Sequence, residues 1–171
     1  MKKIILSAFA ALFLVGSAFA ETVRMGTEGA YPPYNFINDN GEVDGFEKDV
    51  GDMLCIRANL DCVWVINEWD SIIPNLVSGN YDTIIAGMSI TAERDEVIDF
   101  TQDYFPPSPS VYMGMSGADI DVDSAVIAAQ TATIQAGYVA ESGATLVEFA
   151  TAEETISCLL YTSDAADDVL C

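Results

Sequence analysis

One arginine is placed where it could bind a carboxylate. Arg94 closes the run Gly87-Met88-Ser89-Ile90-Thr91-Ala92-Glu93-Arg94. A guanidinium binds a carboxylate through two parallel hydrogen bonds, and backbone N–H groups at a helix start strengthen such binding. Taken alone, an arginine here is more often a solvated helix charge paired with Glu93 or Asp95. The choice between these roles depends on the residues around it.

The other cations have simpler interpretations. Arg24 falls in the first predicted strand and Arg57 on the first predicted helix, where structural or surface roles suffice. The sequence contains no His and no close Cys/Asp cluster, which argues against a zinc site. Arg94 is therefore the best candidate for a carboxylate ligand, and no metal or cofactor is expected.

The chain is strongly acidic. It carries 27 Asp and Glu residues against 6 Lys and Arg, which gives a formal net charge of -21. Such a surface repels phosphate backbones and anionic lipids, so nucleic-acid binding is not expected. Charge alone does not distinguish adaptation to a saline habitat from a preference for cationic ligands.

The first twenty residues are typical of an export signal. Met1-Lys2-Lys3 is basic, residues 4–15 are apolar, and Ala18-Phe19-Ala20 is a small-x-small cleavage site. A periplasmic mature chain that begins at Glu21 is therefore predicted. An uncleaved membrane anchor is the alternative, but the apolar run is shorter than the ~20 residues that a spanning helix needs.

Hydrophobic periodicity alternates between strand and helix. Strands are predicted at residues 22–26, 34–37, 62–66 and 81–86, and a short helix at 71–77. A longer helix, capped by Asp44 or Gly45, would turn one face to the sheet through Phe46, Val50, Met53, Leu54 and Arg57. The βαβαβ order predicts an α/β fold with a mainly parallel sheet, and ligands bind beyond the carboxyl ends of such strands.

The composition changes at Tyr104-Phe105-Pro106-Pro107-Ser108-Pro109-Ser110. Three prolines in four residues predict a stiff, extended connector over this stretch, residues 104–110, within which we place a hinge at 106–110. Beyond it, strands are predicted at 111–115, 125–129 and 146–150, with helices at 133–140 and 152–157. These elements predict a first lobe at residues 21–105 and a partial second lobe at 111–157.

Two of these segments carry a resemblance to a known family. Gly45-Phe46-Glu47 opens the long helix, and Ser89-Ile90-Thr91-x-x-Arg94 follows the third core strand. With this spacing the chain resembles the family 3 solute-binding proteins, periplasmic receptors that hand polar amino acids to ABC importers. The resemblance implies the two-lobed type II periplasmic binding protein fold, with the second lobe incomplete. Lys48 departs from it, because the family usually has an aliphatic residue or Thr there.

The resemblance implies a set of ligand-binding residues in the first lobe. Arg94 would grip the ligand carboxylate, and the Ser89 N–H and hydroxyl and the Gly87 carbonyl would line the same site. Tyr31 would stack on the ligand side chain. The full expected set in this lobe is Glu28, Tyr31, Trp69, Gly87, Met88, Ser89 and Arg94.

Three of these residues have packing as an alternative role. Trp69 matches a family position that commonly covers the ligand, and Glu28 matches one where an acid can meet a cationic side chain. Aromatic residues such as Trp69 and Tyr31 more usually belong to the core.

The resemblance weakens in the second lobe. Gln130-Thr131-Ala132-Thr133 is similar to the family's Gln-x-Gly-Thr segment at a helix start, where Thr133 would meet the ligand carboxylate. Ala132 replaces the family's Gly, and a positive φ there would strain Ala by ~1 kcal/mol or more. The acid that holds the ligand ammonium in the family is expected only after Ser157.

Cys55 and Cys62 bracket the end of the long helix and the strand that follows. In an oxidising compartment such a pair can close a short disulfide loop, and some basic-amino-acid receptors of this family carry one. Two reduced, buried thiols are the alternative.

The last residues of the chain are expected not to be native protein sequence. Residues 158–171 begin with Cys158-Leu159-Leu160-Tyr161-Thr162-Ser163-Asp164-Ala165-Ala166-Asp167, which resembles the translation of a transposon-end sequencing adaptor. Native sequence is then expected to stop near Ser157, and residues 159–171 should find no hydrophobic contacts. An ordinary acidic tail is the alternative.

The expected function is extracytoplasmic binding of a polar amino acid. By resemblance, a monomeric receptor would close its lobes on the ligand and dock on an ABC permease in the inner membrane. It would not be an enzyme. Two alternatives remain open on the same fold, a cyclohexadienyl-dehydratase-like enzyme and the input domain of a sensor kinase.

Overall fold

The computed structural model describes residues 22–117, 119–161 and 169–170. The expected signal peptide and its cleavage site before Glu21 lie outside these residues. Within the described part, no helix is long and apolar enough to cross a membrane. The elements in chain order are β1 (Thr22–Thr27), β2 (Ala30–Tyr31), β3 (Asn35–Ile37), β4 (Val43–Asp44), α1 (Phe46–Ala58), β5 (Asp61–Ile66), α2 (Ile72–Val77), β6 (Thr83–Ile84), α3 (Ala92–Asp95), β7 (Val126–Gln130), α4 (Ile134–Ala140), β8 (Thr145–Phe149), α5 (Ala152–Tyr161) and β9 (Val169–Leu170).

A parallel sheet organises the first half of the chain. Its order is β5-β1-β6, and β1 pairs in parallel with both neighbours. The predicted βαβαβ order is therefore confirmed. Strands β2, β3 and β4 add a small antiparallel sheet in front of α1. Because the parallel strands run the same way, the loops after β1, β5 and β6 emerge at one edge.

The third core strand is shorter than predicted. Only Thr83 and Ile84 pair with β1, although the Asp82 and Ile85 N–H groups still donate to backbone carbonyls of β1. Tyr81 turns into the core instead. Its ring lies so close to Gly26 that a Cβ there would meet it at 2.7 Å, and its hydroxyl donates to the Ile72 carbonyl.

The face of α1 that packs on the sheet is not the predicted one. Glu47, Gly51 and Cys55 are its buried residues, whereas the predicted face of Phe46, Val50, Met53, Leu54 and Arg57 is exposed or only half-buried. Gly51 explains the difference, because a Cβ at this position would lie 2.6 Å from the Trp64 ring. The helix therefore approaches the sheet most closely at Gly51.

Lys48 has a role that accounts for its departure from the family pattern. Its ammonium pairs with Asp52 one turn on, and it lies 5.9 Å from the centre of the Trp64 ring. The Trp64 indole N–H donates to the same carboxylate at 3.0 Å. Lys48 and Asp52 thus form a polar cluster against Trp64. An aliphatic residue at position 48, as the family usually has, would pack there instead.

A second parallel sheet, of order β8-β7-β9, follows the connector. Ala125, Ile127 and Val139 form its buried core. The predictions for the elements at 125–129, 133–140, 146–150 and 152–157 agree with the structure within a few residues. The strand predicted at 111–115 is wrong, because these residues pair with no described strand and their side chains are exposed.

The tail contradicts one expectation. Helix α5 continues to Tyr161, and Leu159 is buried, with 7% of its surface exposed. Strand β9 pairs in parallel with β7 through Val169 and Leu170. The expectation that residues 159–171 find no hydrophobic contacts is therefore wrong at Leu159. Residues 162–168 and 171 lie outside the described residues.

Cys55 and Cys62 are joined by a disulfide bond that ties the last turns of α1 to β5. We expect the double variant Cys55→Ala/Cys62→Ala to lose about 2–3 kcal/mol of unfolding free energy, because a bridge across a short loop restricts the unfolded chain. Chemical denaturation with and without reductant measures the loss. Reductant should weaken the unaltered protein and leave the variant unchanged. Recovery of both residues as alkylatable thiols from folded, unreduced protein would contradict the bridge.

Candidate functional site

A cleft of about 880 Å³ lies between the two sheets and the connector. It opens beyond the carboxyl ends of β1, β6 and β7, the edge at which parallel sheets bind ligands. Seven of the eight residues expected to bind ligand line it. They are Glu28, Tyr31, Trp69, Gly87, Ser89, Arg94 and Thr133.

Short helix α3 positions Arg94. The Thr91 hydroxyl caps this helix by accepting the Arg94 N–H at 3.2 Å. The guanidinium donates to the Ser89 carbonyl at 2.9 Å and to the Ala132 carbonyl at 3.2 Å. Burial lowers the pKa of Arg94 from its ordinary value, and the nearby Glu93 charge acts in the opposite direction. The half-buried side chain thus borders the cleft.

Trp69 reaches the same carbonyl as Arg94. Its indole N–H donates to Ala132 at 3.1 Å, and the Arg94 guanidinium lies 5.6 Å from the centre of its ring. Ala132 has a φ of +56°, in the left-handed region. The positive φ considered for this position is therefore present, and the carbonyl faces the first lobe, from which Trp69 and Arg94 donate to it.

Thr133 uses its hydroxyl within its own lobe. The oxygen accepts the Ala136 N–H at 3.2 Å as the cap of α4, and it donates to the Gln130 carbonyl at 2.6 Å. These bonds fix the loop between β7 and α4, which carries Ala132. Thr133 borders the cleft through this loop.

Glu28 lies just after β1 and meets the second lobe. Its carboxylate accepts a hydrogen bond from the Gln130 amide, which also donates to the Ala150 carbonyl at 3.0 Å. Burial raises the pKa of Glu28, the Gln130 bond opposes this, and the charge of Glu68 adds to it. Among the described residues, no Lys or Arg forms an ion pair with this carboxylate.

An aromatic stack forms the floor of the cleft. The Tyr31 ring stacks on Tyr34, and Tyr34 stacks on Phe105, each with 5.1 Å between ring centres. Gly87 lies under Tyr31 with a φ of +60°. A Cβ at Gly87 would be 3.5 Å from the Tyr31 ring, so the loop passes close beneath it.

Met88 lies apart from the other expected residues. It packs against the buried cluster of Ile72, Tyr81 and Ala86. It also borders a small cavity of about 50 Å³ beside Trp69 and Arg94. Met88 therefore packs on the core and does not line the large cleft.

Sequence reasoning missed Tyr34, Phe105 and Gln130 as residues of the cleft. The available signals were the position of Tyr34 after two prolines and that of Phe105 before two. Gln130 stood in the quoted second-lobe segment.

Among the described residues, no group of three or more potential ligands could hold a metal ion.

Comparison with known sequences supplies independent information. The profile of the bacterial extracellular solute-binding proteins, family 3, matches residues 23–148. The octopine-binding periplasmic protein of Rhizobium meliloti is 49% identical over 98 residues, which cover 56% of this chain and 33% of that protein. ABC transporter arginine-binding protein 1 of Escherichia coli is 38% identical over 111 residues, or 65% of this chain and 46% of that protein.

The solved structures that resemble this chain are also amino-acid-binding proteins. A periplasmic His/Glu/Gln/Arg/opine family-binding protein from Silicibacter pomeroyi, in complex with lysine, is 71% identical with a TM-score of 0.78, covering 87% of this chain and 66% of that one. An ancestral arginine-binding protein bound to glutamine is 28% identical with a TM-score of 0.77, covering 88% and 68%. The chain spans a third to about half of the length of the curated relatives it matches.

The left-handed Ala132 gives a test of the loop. We expect Ala132→Gly to raise the free energy of unfolding by about 0.5–1 kcal/mol, because relief of the strained φ outweighs the added freedom of the unfolded chain. Chemical denaturation measures the change. Ala136→Gly, inside α4, is the matched control and should lower stability by a similar amount. A loss of stability in both variants would show that position 132 carries no strain.

Proposed function

The chain belongs to the bacterial extracellular solute-binding proteins of family 3, and we propose that it binds amino acids with a cationic side chain for an ABC importer. The observation that carries this proposal is the presence of Arg94 and Glu28 in one cleft. A basic amino acid has a carboxylate at one end and a cation at the other. Arg94 offers a positive charge to the carboxylate, and Glu28 offers a negative charge to the cation.

The carboxylate end of the ligand belongs at Arg94. A guanidinium has five N–H donors, and the bonds to Ser89 and Ala132 use only part of this set. The remaining donors serve a ligand carboxylate, with the Ser89 N–H and hydroxyl beside them. The Gly87 carbonyl is the acceptor offered to the ligand ammonium.

The cationic end of the ligand belongs at Glu28. Burial already disfavours the ionised form of this carboxylate, and Glu68 disfavours it further. A ligand cation reverses both effects, because an opposite charge stabilises the carboxylate. The acidic environment of Glu28 therefore favours lysine-like or arginine-like side chains over neutral ones.

Tyr31 and Trp69 complete the binding surface. Tyr31 is 45% exposed at the cleft, and its stack on Tyr34 holds the ring in place. Trp69 stands beside Arg94. Flat rings cover the aliphatic part of a ligand side chain and attract a cation to their faces.

The named relatives support a binding role. Those quoted above bind octopine and arginine by name, and the Silicibacter pomeroyi structure holds lysine. The enzyme alternative has less support. A solved structure described as a precursor of cyclohexadienyl dehydratase is itself called an ancestral amino acid-binding protein, at 27% identity and a TM-score of 0.75.

Location and partners follow from this role. The mature chain works in the periplasm after removal of residues 1–20. Residues 106–110 act as a hinge between lobes at 21–105 and 111–157, which close on the ligand. The closed monomer then docks on a permease in the inner membrane.

Arg94→Ala should abolish or strongly weaken the binding of basic amino acids to the full-length mature protein. Loss of one partner of a buried charge pair costs about 3–5 kcal/mol. Trp69→Ala should cost about 1–3 kcal/mol, because it removes stacking and leaves no charge unpaired. Titration calorimetry with L-lysine and L-arginine measures both. Arg57→Ala, on the exposed side of α1, is the control. Unchanged affinity in folded Arg94→Ala would place the carboxylate site elsewhere.

Glu28 should determine selectivity and its pH dependence. Glu28→Gln should weaken L-lysine binding more than L-glutamine binding, whereas Glu68→Gln, which removes only a neighbouring charge, should have a smaller effect. A ligand cation needs ionised Glu28, whose pKa is raised. L-lysine affinity should therefore fall as the pH falls through that pKa, and the variant should lose this dependence. Equal losses for both ligands would contradict the assignment.

A further inference from the structure

A buried carboxylate lies behind the proposed ligand site. Glu47, in the first turn of α1, has no exposed surface, and neither has Asn35 on β3. Neither residue lines the cleft, and neither carries a role in the proposed recognition of the ligand. An ionised group is buried in this way only when hydrogen-bond donors replace water.

Three donors converge on the Glu47 carboxylate. The Asn35 amide donates to one oxygen at 2.6 Å, and the Gly87 N–H donates to the other at 2.6 Å. The Tyr104 hydroxyl donates to this second oxygen as well. Asn35 in turn accepts the Gly29 N–H at 2.8 Å. The carboxylate is therefore tied to the loop after β1, to the loop after β6 and to the connector.

Those loops carry the proposed ligand groups. Gly29 follows Glu28 directly, and Gly87 begins the run that ends at Arg94. Gly87 has no side chain with which to anchor itself, and glycine adopts positive and negative φ about equally readily. A contact is therefore needed to hold this residue at its φ of +60°. The N–H held by Glu47 supplies that constraint.

We propose that Glu47 is a positioning residue for ligand recognition, which fixes the Gly87 and Gly29 backbones and thereby sets where Ser89, Arg94 and Glu28 meet the ligand. This inference rests on the proposed function for its ligand. Its structural part, the hold on Gly87, stands on the hydrogen bonds alone.

The site requires a carboxylate and not an amide. Both oxygens of Glu47 accept, whereas glutamine offers one acceptor and one donor. If the glutamine oxygen faced Gly87 and Tyr104, its NH₂ would oppose the Asn35 NH₂. If instead the glutamine oxygen faced Asn35, the glutamine NH₂ would oppose the Gly87 N–H. A flip of Asn35 only transfers the mismatch to the Gly29 N–H.

The connector contributes to the same arrangement. Burial, and next the bond to Glu47, raise the pKa of the Tyr104 hydroxyl, so it remains a donor. Tyr104 also accepts the Gly87 N–H at 3.2 Å. Its neighbour Phe105 stacks on Tyr34, which supports Tyr31. The first residues of the connector are thus bonded to the loop that binds the ligand.

The test compares Glu47→Gln with Glu42→Gln, the same change on an exposed turn, in the full-length mature protein. Calorimetry with L-lysine reports affinity, and the NMR resonance of the Gly87 amide proton reports the hydrogen bond to the carboxylate. We expect Glu47→Gln to bind L-lysine about 10- to 100-fold more weakly, because a buried donor loses a charged acceptor. The Gly87 resonance should move upfield. Glu42→Gln should change neither.

L-lysine affinity within twofold of the unaltered protein, with an unmoved Gly87 resonance, would overturn the proposal. If Glu47→Gln does not fold, Tyr104→Phe tests the positioning role instead. It keeps the carboxylate and removes one donor, and it should weaken L-lysine binding by about 2- to 10-fold with a shift of the Gly87 resonance. No change in either would overturn the proposal. If the unaltered protein binds no amino acid, the proposed function fails, and the Gly87 resonance still decides the positioning role.

Discussion

A carboxylate without exposed surface constrains how the first lobe is built. Removal of an ionised carboxylate from water costs more than the net stability of a typical domain unless donors replace the water. Glu47 obtains its donors from residues 12, 40 and 57 positions away along the chain. A hairpin strand, a ligand loop and the connector must therefore come together around one charge. The geometry of the cleft is a consequence of that convergence.

Much of the first lobe could be predicted because its signals are local. Runs of apolar residues between turn residues predicted β1 and β5, and their order predicted the parallel sheet. The packed face of α1 could not be predicted in the same way. Periodicity weights large apolar residues such as Met53, whereas the contact with the sheet depends on the small size of Gly51 under Trp64. The periodicity of the helix does not predict that contact, because the contact depends on where β5 lies in the fold.

The site was partly predictable for a similar reason. The motif around Arg94 is contiguous, so its residues could be named from the sequence, and the structure brings Gly87, Ser89 and Arg94 to the cleft. Gln130 and Phe105 act across long sequence separations, and no local pattern marks them. The segment at 111–115 has the composition of a strand, but composition does not supply a neighbouring strand. Its failure as a prediction reflects the absence of a pairing partner among the described residues.

The contacts of Arg94 with the carbonyls of Ser89 and Ala132 have a consequence for competition among solutes. Because these two carbonyls already occupy part of the guanidinium donors, a bound carboxylate forms new hydrogen bonds only with the donors that remain. The net free energy from a lone carboxylate is then small. We therefore expect acetate and similar organic acids to be poor occupants. Capture depends on what a solute carries in addition to its acid group.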